Sequence, residues 1–176
     1  MAYAFKIIDS PVGPLRLIAS EKGLASLGWE RGDAWPGEWS PLVDGARHPI
    51  LLETERQLGE YFAGKRKQFT VPLDFAGTDF QKKVWAALLA IPFGETRSYG
   101  EIARQIGRPT AYRAVGAANG KNPIAIIAPC HRVIGSTGAL TGFGGGLDVK
   151  EALLSLESAD RALRRPEQHE LLLPSS

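Results

Sequence analysis

"SYGEIARQIGRPTAYRAVGAANGKNP", residues 98–123, decides how this chain is built. Ser98 stands ahead of a short helical periodicity, Ile102, Ala103 and Ile106, which Gly107, Arg108 and Pro109 break. Thr110 can cap a second helix running from Ala111 to about Ala118, and Gly120 and Pro123 terminate it. Two short helices across so tight a turn form a helix-turn-helix. The second helix has an unusual face. Ala111, Ala114, Gly116, Ala117, Ala118 and Gly120 leave little side chain on it, and Arg113 is its one long projection. A reader of base edges in the major groove normally presents polar side chains. A helix of Ala and Gly can instead approach a narrow groove closely and bind by shape and phosphate contact. The same composition also suits a helix pair packed tightly to save space, and both readings stand.

Upstream, "AGTDFQKKVWAALLAIPFGET" (76–96) predicts a third helix, capped by Thr78 or Asp79 and stopped by Pro92 and Gly94. Its apolar side is Phe80, Val84, Trp85, Leu88 and Leu89. A boundary near 76–78 divides the chain into domains 1–77 and 78–176, with a frayed tail from about 166. The first domain opens with alternating stretches, "YAFKIID" and "LRLIAS", separated by the turn signal "SPVGP"; "ASLGWE" reads as a third strand. "RGDAWPGEWSPLVDG" (31–45) reads as a loop. From Pro49 the spacing becomes helical through Leu58 and Tyr61 to near Gly64, and "KRKQFTVPLDF" (65–75) is basic, then extended. His48, beside a proline in a loop, reads as structural. The fold class is α/β in the α+β sense, a small α/β domain followed by a mainly helical one.

The 176 residues carry 44% hydrophobic and 23% charged residues, an ordinary globular balance. The net charge of +2 conceals an asymmetry, for residues 97–132 hold six basic side chains and only one acid, Glu101. That excess suits a polyanion or an ordinary solvated surface. The start, "MAYAFKIIDS", lacks the apolar core of a signal peptide, and no run approaches the roughly 20 apolar residues that span a bilayer. A cytoplasmic protein is expected, with no membrane association. The single cysteine excludes an internal disulfide and argues against a cysteine-rich zinc site.

That cysteine lies in "NPIAIIAPCHRVIG" (122–135). "IAIIA" predicts a short buried strand that Pro129 ends, leaving Cys130 where the chain departs from the core. A thiolate is a nucleophile, and His131 is a candidate base, although neighbouring side chains on a strand point apart and a turn or a water must bring them together. A lone buried cysteine can equally be a small hydrophobe.

"PCHRVI", preceded by "YRAVGAANGKNP" and followed by "TGFGGGLDVKEALLSLE", closely resembles the O6-alkylguanine-DNA alkyltransferases, densely from Thr78 to Glu157 and more loosely before. The resemblance implies an N-terminal ribonuclease-H-like α/β domain and a C-terminal domain whose helix-turn-helix is winged-helix-like. It implies a monomer without cofactor or metal that binds double-stranded DNA in the minor groove, with cooperativity along DNA left open. The lesion, O6-alkylguanine and by extension O4-alkylthymine, is flipped out, because a stacked guanine keeps its O6 substituent beyond reach of a thiol. Its alkyl group passes irreversibly to the protein, once per molecule.

By resemblance Cys130 is the acceptor, His131 acts on it through water, and Glu157 holds the imidazole. Asn122 ties the helix-turn-helix to the active-site turn. Arg113 fills the gap left by the flipped nucleotide, and Tyr99 helps rotate that nucleotide and then donates to the guanine ring. Ala114, Gly116, Ala117 and Arg132 line the DNA face. The Val133 carbonyl, Phe143 and Gly144 meet the base. Two departures matter: Phe143-Gly144 replaces the Tyr-Ser of many relatives, and Ala125 stands where some have proline. Both predict slower reaction with O6-benzylguanine than with O6-methylguanine, which rate measurements on the two bases check. The zinc cysteines of some relatives are absent.

Overall fold

The structure is a computed structural model that describes residues 2–29, 39–136, 143 and 145–159. The chain forms two compact units. One is Met1–Thr78 together with Asn122–Ile127, and the other is Asp79–Lys121 with Ala128–Ser176. Division at 77/78 therefore misses one exchange, in which a six-residue segment from the second half belongs with the first unit. Gly144, residues 137–142 and the tail from 160 lie outside the described residues.

The first unit is a sheet backed by a helix. Strands β1 (Tyr3–Ile8), β2 (Leu15–Ala19) and β3 (Leu24–Trp29) form an antiparallel meander, and β4 (Leu42–Asp44) pairs parallel to β1, giving the order β3-β2-β1-β4. β4 falls inside a stretch read as loop. Three residues offer no alternation to recognise, and the strand exists because β1 supplies its hydrogen-bond partners, in register Tyr3↔Leu42 to Phe5↔Asp44. The single-helix prediction holds as α1 (Pro49–Phe62), which buries Leu51, Leu58 and Tyr61 on one stripe. Pro49 occupies its first turn, and His48 caps it, its Nδ1 accepting from the Ile50 N–H at 3.2 Å. The outer edge of β3 is covered twice. Leu24 bridges Leu73, and Leu27 bridges Ile124, with Leu27 N–H to Pro123 O and Ala125 N–H to Leu27 O both at 2.9 Å. Gly23 permits the first of these, since a Cβ there would come within 2.6 Å of the Pro72 carbonyl oxygen.

The second unit holds α2 (Asp79–Leu89), the helix-turn-helix α3 (Tyr99–Gln105) and α4 (Tyr112–Gly120), and α5 (Leu147–Ala159). Trp85 of α2, 1% exposed, donates its indole N–H to the Ala118 carbonyl at 2.9 Å and so fixes α2 on α4. Ser98 caps α3 in a capping box, its hydroxyl accepting from Glu101 N–H while the Glu101 carboxylate accepts from Ser98 N–H. The helix ends in a Schellman motif: Gly107 at φ +78°, its N–H on Arg104 O, and Arg108 N–H on Ala103 O. The second helix starts one residue late. Ala111 is its cap, with no side-chain bond, because a backbone turn from Arg108 O to Ala111 N occupies the place expected for Thr110. A two-residue parallel ladder joins β5 (Arg97–Ser98) to β6 (Val133–Ile134). It ties the start of the helix-turn-helix to the segment that follows Cys130.

Candidate active site

The residues around Cys130 are all turn. The strand expected for 124–128 does not form: Ile124 makes one bridge, and Ile126 takes φ +71° under a tight turn closed by Ile127 N–H to Ala125 O at 2.8 Å. A β-branched residue at positive φ is rarely tolerated, and apolar composition alone cannot signal it. Pro129 then sits at φ −79°, ψ 68°, and Cys130 N–H reaches Ala128 O at 2.7 Å. This is an inverse γ-turn, for which the proline ring already sets φ. Cys130 opens a single 3₁₀ turn through Arg132, closed by Arg132 N–H to Pro129 O at 2.9 Å. The proline before the thiol thus fixes the sharp entry that extended backbone could not give. Cys130 is a buried thiol in no disulfide, 5% exposed.

Beneath it lies a buried charged cluster. Glu157 of α5, 1% exposed, accepts from His131 Nε2 at 2.7 Å, from Arg132 Nε at 2.8 Å and from Arg132 Nη2 at 3.0 Å. Arg132 completes its set by donating Nη1–H to the Ile91 carbonyl at 2.7 Å. Burial pushes the Glu157 carboxyl upward, but His131 and the Arg132 fork outweigh it and hold the group well below the usual carboxylate range. An ionised Glu157 can only accept, so the neutral imidazole carries its proton on Nε2. That leaves Nδ1 as a lone-pair acceptor, buried and without a hydrogen-bond partner among the described residues. The arrangement orients a base and stabilises the imidazolium that forms when it takes a proton.

Arg132 is the residue whose expected place changes. Read as part of the DNA face, it is 6% exposed, with its guanidinium committed to Glu157 and Ile91. Its neighbours in sequence gave no sign of this, because both partners are remote along the chain. Lys150 was missed altogether. It is fully buried on α5 and donates Nζ–H to the Val133 carbonyl at 2.7 Å. Desolvation lowers its pKa to about 8, against a partial upward pull from the Cys130 sulfur. An ammonium group within electrostatic reach of the thiol favours the thiolate. Only its helical spacing from Leu153, Leu154 and Glu157, one inward stripe of α5, could have pointed to it.

The other site residues divide by position. Arg113, Ala114 and Ala117 are exposed on α4, while Val115, Ala118 and Asn119 turn inward. Tyr99, the first residue of α3, lies against α4 at Gly116, where a Cβ would meet its Cδ1 at 3.7 Å. Asn122, in the first unit, accepts from Ile124 N–H on its Oδ1 at 3.0 Å and so shapes the turn there. The Val133 carbonyl, in the β5–β6 ladder, accepts from Lys150 Nζ–H. Phe143 is half-buried, and its carbonyl accepts from Gly146 N–H at 2.9 Å.

A thiol on a fixed turn, a carboxylate-held imidazole on the next residue and a helix-turn-helix in the same unit have the parts of a cysteine nucleophile delivered to a nucleic acid. Comparison with known proteins gives this class a family. The DNA-binding domain of 6-O-methylguanine DNA methyltransferase matches residues 79–159, and the ribonuclease-like domain of the same family matches residues 3–75. A methylated-DNA–protein-cysteine methyltransferase of Methanosarcina barkeri is 53% identical over 156 residues, 87% of this chain and 96% of its own. An O6-methylguanine methyltransferase structure from Mycobacterium tuberculosis is 52% identical, with a TM-score of 0.78 over 89% of this chain and 93% of that one. OGT of the same organism in complex with DNA matches at 52% identity and TM-score 0.78, covering 90% and 94%. The chain belongs to the 6-O-methylguanine DNA methyltransferase family.

Proposed function

We propose that this protein repairs DNA directly, taking the alkyl group of O6-alkylguanine onto Cys130 Sγ and being consumed in the act. The observation that carries this reading is the buried Cys130 turn, followed at once by His131 and Arg132, both buried and both bonded to Glu157. His131 Nδ1 accepts the thiol proton through a water. The thiolate then attacks the alkyl carbon from the side opposite O6. The S–C bond forms as the C–O6 bond breaks, and the electron pair leaves with the guanine, which Tyr99 stabilises by donating a hydrogen bond. Lys150 holds charge near the sulfur throughout. The product is a thioether, a poor target for water, so nothing regenerates the thiol.

Exposed Arg113 and the small residues Ala114, Gly116 and Ala117 suit close approach to the minor groove of duplex DNA. Arg113 enters the stack when the lesion is flipped out. Asn122 holds the approach to the active-site turn, and Val133 O, Phe143 and Gly144 receive the base. Arg132 has no part on the DNA face. The protein works as a monomer in the reducing cytoplasm; among the described residues no helix is long and apolar enough to cross a membrane. Incubation with excess duplex bearing one labelled O6-methylguanine tests the reading. Transfer should stop at one methyl per protein molecule. Repeated turnover would point instead to a thiol hydrolase, and no transfer to a protein that only binds damage.

A further inference from the structure

The outward face of α4 is nearly bare, with Ala114, Ala117 and Gly120 exposed beside Arg113, yet the helix opens on a phenol ring. Tyr112 is 50% exposed. A large aromatic half in water contributes little to folding, and its neighbours show another use for it. The Arg113 guanidinium carbon lies 6.0 Å from the Tyr112 ring centroid, at the outer limit of cation–π attraction. Tyr112 and Gly116 are one turn apart and share a flank of the helix, and Tyr99 packs at Gly116. One flank of α4 is therefore lined by its own Tyr112 and by Tyr99 of α3, beside the exposed Arg113. The surroundings select an anionic occupant: Arg104, Arg108, Arg113 and Lys121 are exposed, and no Asp or Glu occurs between Glu101 and Asp148.

We propose that Tyr112 is a positioning residue for lesion extrusion: its ring holds Arg113 in the extended form that enters the duplex and stacks on the nucleotide bordering the vacated site. This rests on the reading that Arg113 fills the gap. An exposed arginine samples many rotamers, and holding it over a ring removes part of the ordering cost before DNA arrives. A ring facing an unstacked base adds a contact that exists only in the extruded state.

The test compares wild type, Tyr112→Ala, Tyr112→Phe, Arg113→Ala and the double variant Tyr112→Ala/Arg113→Ala. Each is reacted with duplex O6-methylguanine and with the free base, which needs no extrusion. Tyr112→Ala should slow methyl transfer from duplex by about 5- to 30-fold and leave the free-base rate within about twofold. Tyr112→Phe should restore duplex transfer, and the double variant should be little slower than Arg113→Ala alone. Duplex transfer by Tyr112→Ala at the wild-type rate, equal losses on both substrates, or full additivity in the double variant would overturn the role of Tyr112 alone. Failure of the wild type to transfer methyl from duplex, or an unimpaired Arg113→Ala, would overturn the underlying reading as well.

Discussion

Glu157 joins a structural bond and a proposed chemical role in one carboxylate. Its two oxygens hold both His131 and Arg132, so it neutralises a buried guanidinium while fixing the imidazole tautomer. Glu157→Gln keeps the shape but removes the charge and puts a donor where both partners also donate. Breaking a buried pair from one side leaves the other charge uncompensated, a loss of about 3 kcal/mol. Denaturant unfolding should show that loss, and methyl transfer from free O6-methylguanine should fall by about 100-fold. A variant that loses stability yet transfers at the normal rate would mean that Glu157 is structural only. Lys150 makes the complementary prediction. Replacing it with Met removes a positive charge from the neighbourhood of the thiol, so the acid limb of the pH–rate profile should move up by about one unit. An unmoved limb would show that Lys150 serves only the Val133 carbonyl.

Among the elements, the helix-turn-helix depends most on two backbone devices. Gly107 at φ +78° carries the Schellman turn, and Gly107→Ala should destabilise the protein by about 1–2 kcal/mol in urea titration. Ser98→Ala, which removes the hydroxyl half of the capping box, should cost about 1 kcal/mol. Both devices were legible beforehand, because a cap and a glycine after a periodic run are local signals. The meander of the first unit and α1 were legible for the same reason. Elements made by distant partners were not. β4 exists through its pairing with β1, and no pattern within Leu42–Asp44 announces it. Residues 124–128 look like a strand in composition, yet Ile126 at positive φ and the γ-turn at Pro129 bend the chain into the Cys130 turn. Cys130, His131 and Glu157 were singled out through the family resemblance. The inward fork of Arg132 needed Ile91 and Glu157 brought beside it, which spacing along the chain does not reveal.

For the whole molecule, the buried Lys150 predicts a particular dependence of stability on pH. Its pKa is lowered from 10.5 to about 8, so in the window between these values the unfolded chain binds more protons than the folded one. Stability then rises with pH across that window, as the cost of burying the charged form is relieved. Relative to Lys150→Met, the wild type should gain up to about 3 kcal/mol between pH 8 and pH 10.5, and chemical denaturation at both ends of the window checks it. A constant difference between the two proteins would show that the amine is solvated in the native state. On the proposed chemistry, one sulfur atom receives the lesion's alkyl group. Peptide mass mapping after reaction with duplex O6-methylguanine tests it most directly, with wild type beside Cys130→Ser. The wild type should yield a single added methyl on the peptide containing Cys130 and a repaired guanine in the duplex, and Cys130→Ser should yield neither. Repair of the duplex by Cys130→Ser, or methyl found on another residue of the wild type, would contradict that chemistry.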